Sequence, residues 1–156
     1  MRLTHGTDLG LRVLMILSLR EGQRMTVPRL ATILDVSENH LVKVCLRLSS
    51  LSYIRSLRGR GGGVELAMRP GEIFVGNVIR DLEDGFDLVE CMRGAAGSCV
   101  LTPACELKSL LEDATAAFFK TLNSRSIADL VSSPRRLSNL VGINKKRSDQ
   151  LRMKSR

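Results

Sequence analysis

Two short helices and the turn that joins them are encoded by the stretch Thr26-Val-Pro-Arg-Leu-Ala-Thr-Ile-Leu-Asp-Val-Ser-Glu-Asn-His-Leu-Val-Lys-Val-Cys-Leu-Arg-Leu-Ser-Ser50. In its first half the apolar residues recur at helical spacing, at Val27, Leu30, Ala31 and Leu34. Thr26 and Ser37 each precede a helical run, where a hydroxyl can accept a hydrogen bond from the first turn. Only Asp35 and Val36 lie between the runs, so we predict a helix–turn–helix unit.

The second of these helices, predicted to extend from Ser37 to about Ser50, has two contrasting faces. Its inward stripe is apolar and consists of Leu41, Val44, Cys45 and Leu48. Cys45 is therefore predicted to be a buried small hydrophobic residue rather than a metal ligand. The opposite face is polar and basic and consists of Asn39, His40, Lys43 and Arg47. Such side chains bind base edges and phosphates, so this face is a candidate DNA-binding surface; an ordinary solvated face is the alternative.

A β-hairpin is predicted after these helices. Its strands are Tyr53-Ile-Arg-Ser-Leu57 and Val64-Glu-Leu-Ala-Met68, and the second alternates apolar and polar residues as a strand with one buried face does. The tip, Arg58-Gly-Arg-Gly-Gly-Gly63, allows close backbone approach, and Arg58 and Arg60 can reach phosphates or a narrow minor groove. A nucleotide phosphate loop is disfavoured because no GK[ST] sequence and no following helix are present.

Further helices are predicted at residues 7–19, with Thr7 as the cap, at 75–82, at 103–122 and after Ser126. Apolar residues on the long helix, including Ala117 and Phe119, exceed what one small domain can cover, which predicts a second subunit. The predicted fold class is mainly α with a small β-hairpin: a winged helix–turn–helix followed by a long C-terminal dimerisation helix. Residues 1–82 form the DNA-binding domain, 83–105 a cysteine loop, 106–131 the dimerisation helix with a short terminal helix, and 132–156 a basic, flexible tail.

Three of the four cysteines lie in one loop, at Cys91, Cys99 and Cys105. The sequence Thr102-Pro103 is a helix-start signal, so Cys105 is predicted in the first turn, where the helix dipole favours a thiolate. Three thiolates from one loop suit a soft metal. A disulfide would leave one cysteine over, a zinc site usually has tight C-x2-C pairs, and iron–sulfur ligation tolerates wider spacings. The spacing alone leaves these alternatives open.

The charge is unevenly distributed along the 156 residues, whose net charge is +8. Residues 1–69 carry 11 basic and 5 acidic side chains, and residues 132–156 carry 8 basic and 1 acidic. Residues 70–131, in contrast, carry 5 basic and 10 acidic side chains. The N-terminal segment is thus suited to a polyanion. The chain shows no signal peptide and no long apolar run, so we expect a cytoplasmic protein with reduced thiols.

The chain resembles the family of dimeric bacterial winged-helix iron–sulfur regulators that includes NsrR, IscR and RirA. The resemblance covers about residues 1–131. It rests on the segments Met1-Arg-Leu-Thr4 with Asp8, Val36-Ser-Glu-Asn-His-Leu-Val-Lys-Val44, Arg58-Gly-Arg-Gly-Gly-Gly63, Phe86-Asp-Leu-Val-Glu-Cys91, Thr102-Pro-Ala-Cys105 and Ile127-Ala-Asp-Leu-Val131.

The resemblance implies a repressor that binds a palindromic DNA operator as a homodimer and holds one 4Fe-4S or 2Fe-2S cluster per subunit. Its ligands would be Cys91, Cys99 and Cys105. IscR-like members use a histidine three residues after the third cysteine, where this chain has Lys108. NsrR-like members take a carboxylate from the first helix of the other subunit, and Asp8 matches it; otherwise Asp8 merely complements the helix dipole.

Two signals are compatible with the resemblance. The Asn-His-Leu-Val-Lys and Thr-Pro-Ala-Cys segments are closest to NsrR and imply nitric oxide sensing. The seven-residue gap between Cys91 and Cys99 is closer to RirA and implies an iron-responsive regulator. A thiol redox switch without metal is the third alternative. We do not expect an enzyme, because a nucleophilic Cys91 or Cys99 would need a base, and His40 is predicted on a distant surface helix.

Overall fold

The computed structural model describes residues 2–59, 61–92, 99–101 and 104–143. Its helices are α1 (His5–Ser18), α2 (Val27–Leu34), α3 (Glu38–Ser50), α4 (Val75–Leu82), α5 (Glu106–Leu122), α6 (Ile127–Leu130) and α7 (Pro134–Leu140). The strands β1 (Ile54–Leu57) and β2 (Gly63–Leu66) form an antiparallel hairpin, and short 3-10 turns lie at Pro70–Glu72 and Glu90–Met92. This architecture confirms the predicted winged helix–turn–helix with a long helix after it. Within the described ranges, no helix is both long and apolar enough to cross a membrane.

The helix–turn–helix has the predicted bounds because its signals are local. The Thr26 hydroxyl accepts a hydrogen bond from the Arg29 amide at 3.4 Å, and the Ser37 hydroxyl accepts one from the His40 amide at 3.3 Å. Asp35 ends α2 in the left-handed conformation, with φ at 54°, and the Val36 amide then donates to the Ala31 carbonyl. This closure satisfies carbonyls at the helix end and sets the angle between α2 and α3.

The first helix begins earlier than predicted. Thr4, not Thr7, is the N-cap of α1, and its hydroxyl accepts a hydrogen bond from the Thr7 amide. Thr7 is only 1% exposed and lies inside the helix. The Thr4 amide donates to the Glu83 carboxylate at 2.8 Å, a contact across 79 positions that sequence patterns do not show.

The core is organised around α1, whose apolar side chains are mostly buried. Leu9, Val13 and Leu14 are each 0% exposed, as are Leu30 on α2 and Leu41 on α3. Cys45 belongs to the same core and is 4% exposed, as its position on the apolar stripe predicts. A full apolar face on each helix supplies most of the stability of such a small domain.

The hairpin deviates from simple alternation at Glu65. Ile54 pairs with Leu66 and Arg55 with Glu65, and Met25 forms an extra bridge to Val64. Glu65 was predicted to be on the solvent side of β2, but it is 7% exposed. The prediction is wrong because the Glu65 carboxylate is bound by Arg55 Nε at 2.7 Å and approached by Arg24 Nε at 3.7 Å.

The C-terminal part differs from the prediction in three places. Phe119 was expected to need a second subunit as cover, but it is 6% exposed and packs against Phe86 within this chain. The long helix α5 begins at Glu106, so Cys105 is its N-cap residue rather than a residue of the first turn. Thr102 and Pro103, on which the earlier start was based, lie outside the described residues. The segment assigned to a flexible tail contains α7, and behind it Ile143 is 6% exposed in the core. Residues 144–156 are outside the described part of the chain.

Candidate nucleic-acid interface and cysteine loop

The outward face of α3 is centred on Asn39 and Lys43, both of which are exposed. They lie opposite the buried stripe of Leu41, Val44, Cys45 and Leu48. Next to them lie Val42 and Leu46, whose side chains are exposed by 38% and 63%. A helix with an amide, an ammonium group and apolar groups on its free face can enter the major groove of DNA.

The other two predicted DNA-binding residues of α3 contact the protein itself. The His40 ring meets the His5 ring of α1 edge to face, with 4.9 Å between centroids. Arg47 Nη2 donates to the Asp81 carbonyl at 3.2 Å and lies 3.8 Å from Asp84 Oδ1. The structure therefore divides the predicted set: Asn39 and Lys43 face outward, whereas His40 and Arg47 connect α3 to its neighbours.

Asp81 at the end of α4 joins three elements. Its carbonyl accepts the Arg47 hydrogen bond, and its carboxylate accepts one from the Tyr53 hydroxyl at 2.5 Å. Burial, and then this hydrogen bond and the carboxylate charge, raise the pKa of Tyr53 above its ordinary value. Tyr53 thus remains a hydrogen-bond donor at physiological pH. Sequence analysis missed this link, whose only signal was the acidic run that begins at Asp81.

The tip of the wing carries one arginine in the described residues, the exposed Arg58; Arg60 lies outside them. The tip conformation requires glycine, since Gly59 and Gly61 have φ of 93° and 83°. A Cβ on Gly62 would lie 2.5 Å from the Leu57 carbonyl oxygen. Arg55, by contrast, is held by Glu65. The narrow, side-chain-poor tip lets backbone and Arg58 approach a phosphate closely.

The three loop cysteines have free thiols near the surface. Cys91 lies in the 3-10 turn Glu90–Met92 and Cys105 caps α5; both are half-buried, and Cys99 is exposed. Cys45 is different, because burial raises the pKa of its thiol to about 11. In the described ranges, no three His, Cys, Asp or Glu side chains come together in a group that could hold a metal ion. The donor set nevertheless fits iron–sulfur ligation, which uses cysteine thiolates carried on loops.

Asp8 is on the exposed side of α1, with 43% of its side chain accessible. Arg12, one turn later, lies 2.7 Å from Asp8 Oδ2 through Nη2 and donates from Nε to Oδ1 at 3.1 Å. Such an ion pair at the surface is weak and can be exchanged for another partner. The Asp8 carboxylate is thus displayed on the surface of the subunit.

The winged helix–turn–helix and its free recognition face define a DNA-binding transcription regulator. A family model described as "Rrf2: Iron-dependent Transcriptional regulator" matches residues 3–133. The chain belongs to the Rrf2 family of transcription regulators.

Relatives agree with this assignment. The chain is 40% identical over 142 residues to the HTH-type transcriptional regulator NsrR of Geobacillus kaustophilus, covering 90% of this chain and 97% of that protein. It is 41% identical over 134 residues to the NsrR of Bacillus subtilis, covering 85% and 92%. The chain is thus an NsrR-like member of the family.

Solved structures show the same fold. CymR of B. subtilis, described as its global cysteine regulator, has a TM-score of 0.66 at 25% identity, covering 85% of this chain and 97% of CymR. IscR of T. potens has a TM-score of 0.66 at 23% identity, covering 84% and 86%. The winged-helix arrangement is shared by all three.

Proposed function

We propose that this protein is a homodimeric repressor whose operator binding is controlled by an iron–sulfur cluster that responds to nitric oxide. The observation that carries the proposal is the set of three free, accessible thiols on one loop, in a chain about 40% identical to NsrR proteins. Cys91, Cys99 and Cys105 would hold the cluster, with Asp8 of the partner subunit as a fourth, oxygen ligand. When bound, the cluster supplies iron to which nitric oxide can coordinate.

The DNA contacts follow from the exposed groups. Asn39 and Lys43 lie on the face of α3 that can enter the major groove, and Arg58 and Arg60 belong to the wing that would approach the backbone. His40 and Arg47 were predicted in the same role. Because they are engaged with His5 and Asp81, we assign them mainly to positioning α3.

Two contacts link the proposed ligand residues to α3. His5 lies one turn before Asp8 on α1, and its ring contacts His40 of α3. Asp84, seven residues before Cys91, pairs with Arg47 of α3. A change of position at Asp8 or in the cysteine loop would therefore alter the balance between two placements of the recognition helix.

The dimer would form on a stripe of α5 that the described residues leave exposed, which consists of Leu107, Leu110, Ala114 and Ala117. All four are exposed, and the leucines are exposed by 57% and 65%. Their spacing of three and four residues is that of a two-helix seam, and the alanines permit close approach of a second helix. The same helix of a second subunit is the natural cover.

The test measures the affinity of the anaerobically purified protein for a duplex that the protein itself enriches from a random library. Stoichiometric nitric oxide should release the DNA, whereas an iron chelator should act slowly. Release by chelator with indifference to nitric oxide would instead establish an iron-responsive regulator. A colourless protein that releases DNA only after thiol oxidation would establish a redox switch.

A further inference from the structure

Two apolar side chains on the recognition helix have no cover in the described structure. Leu46 is 63% exposed and Val42 is 38% exposed. Single exposed leucines are common on protein surfaces. These two, however, lie four residues apart on the same side of α3, so they form one continuous apolar ridge.

The order of side chains around α3 shows where this ridge lies. At about 100° per residue, the free surface passes from Val42 to Leu46, Asn39 and Lys43, and then to Arg47 and His40. The last two face α4 and α1, as their contacts with Asp81 and His5 show. Leu46 thus lies on the same line along α3 as Asn39, but seven residues, or about 10 Å, further along the axis. Its near neighbours are Val42 and Lys43, and it is on the side away from the residues that fasten α3 to the domain.

The major groove contains one apolar group, the C5 methyl of thymine, which cytosine lacks. Asparagine can bind the N6 and N7 edge of adenine in the same groove, and the paired thymine presents its methyl beside that edge. Val42, three residues after Asn39, is therefore placed to meet the methyl of such an A·T pair, and Leu46, one turn further along α3, can meet the methyl of another thymine in the same groove.

We propose that Leu46, with Val42 beside it, contacts thymine methyl groups and so sets a preference for thymine within each half-site of the operator. The proposal rests on the placement of α3 in the major groove. It adds a specificity determinant of apolar character to the polar set of Asn39 and Lys43. Removing one buried methyl from such a contact should weaken binding about fourfold.

The experiment uses the anaerobically purified full chain and the duplex that it enriches from a random library. Each thymine is replaced in turn by deoxyuridine, which removes only the methyl group. At one thymine or more per half-site, the wild-type protein should lose about fourfold in affinity. Leu46→Ala should bind the unmodified duplex more weakly and lose this sensitivity to deoxyuridine, whereas Leu46→Met should retain it.

Leu140→Ala is the matched control, because Leu140 is 77% exposed but belongs to α7. It should bind both duplexes as the wild type does. The proposal is overturned if Leu46→Ala keeps the full sensitivity, or if deoxyuridine has no effect at any position. Lys43→Ala distinguishes a failure of the thymine contact from a failure of the proposed placement of α3. If Lys43→Ala and Leu46→Ala both bind as tightly as the wild type, α3 does not lie in the major groove. Thermal unfolding of each variant confirms that it is folded.

Discussion

At the residue scale, the four cysteines differ in environment, and this difference predicts separate roles. Cys91→Ala, Cys99→Ala and Cys105→Ala should each abolish the visible absorption and the bound iron of anaerobically purified protein, because each removes a proposed thiolate ligand. Cys45→Ala should retain both and cost about 1 kcal/mol of stability, since it only deletes a buried sulfur atom. Loss of iron in the Cys45 variant, with retention in a loop variant, would reverse the assignment.

Glu65 gives a second prediction, about the stability of the wing. Its carboxylate is buried, whereas the side chains of Arg55 and Arg24 are 65% and 48% exposed. Arg55→Ala leaves a buried carboxylate without its 2.7 Å partner, so we expect a loss of about 1–3 kcal/mol in the free energy of unfolding. Urea denaturation measures it, and Arg24→Ala, which removes the 3.7 Å contact, should cost less. Equal small losses in both variants would contradict the role given to Arg55.

At the element scale, α4 and α5 are joined by a contact that excludes a side chain at Gly76. A Cβ there would lie 2.5 Å from Asn123 Oδ1 and 2.8 Å from its Cγ. Asn123 is fixed by two hydrogen bonds of 3.0 Å, one accepted from the Asn77 amide and one donated to the Asn77 side chain. Asn123 therefore cannot move aside without breaking this pair.

Gly76→Ala should accordingly destabilise the protein by about 1–3 kcal/mol, the usual cost of overpacking a close contact. Urea denaturation provides the measurement. Gly71→Ala is the matched control, because a Cβ at Gly71 meets no atom within 4 Å. A Gly76 variant as stable as the Gly71 variant would show that the junction can adapt.

The elements that sequence analysis predicted well are those whose signals are local. The caps Thr26 and Ser37 defined the ends of α2 and α3, and apolar periodicity defined α4. The start of α1 was missed because Thr4 and Thr7 are both possible local caps, and the contact that favours Thr4 comes from Glu83, far along the chain. In contrast, α7 has a local start signal in Ser133-Pro134 and was missed because the basic charge of residues 132–156 was interpreted as that of a flexible tail.

The candidate site could be predicted only in part for a similar reason. Helical spacing placed Asn39 and Lys43 on the outer face of α3 correctly. It could not show that His40 and Arg47, on the edge of that face, meet His5 and Asp81, because those partners come from other elements. Spacing likewise identified the loop thiols but carries no information about how they approach one another.

At the scale of the whole molecule, the proposed dimer gives a further prediction. Leu110→Glu puts a charge on the exposed stripe of α5, and burying it against a second helix would be strongly unfavourable. The variant should therefore sediment as a monomer and bind the operator much more weakly. Ala116→Glu is the control, since Ala116 is exposed on another side of the same helix. An unchanged dimer in the Leu110 variant would place the interface elsewhere.

The way α5 is anchored has a mechanical consequence. Its last turns are fixed by Phe119, which is buried against Phe86, and by Asn123, whereas its opposite end carries Cys105. Seventeen residues make a rigid arm of about 25 Å, so a tilt of about 1° at the pivot displaces the far end by about 0.4 Å. Metal–ligand distances vary by only about 0.2 Å. The Cys105 end of α5 therefore needs a second point of attachment. A second subunit that packs along the exposed stripe of α5 would provide it and would hold Cys105 in position.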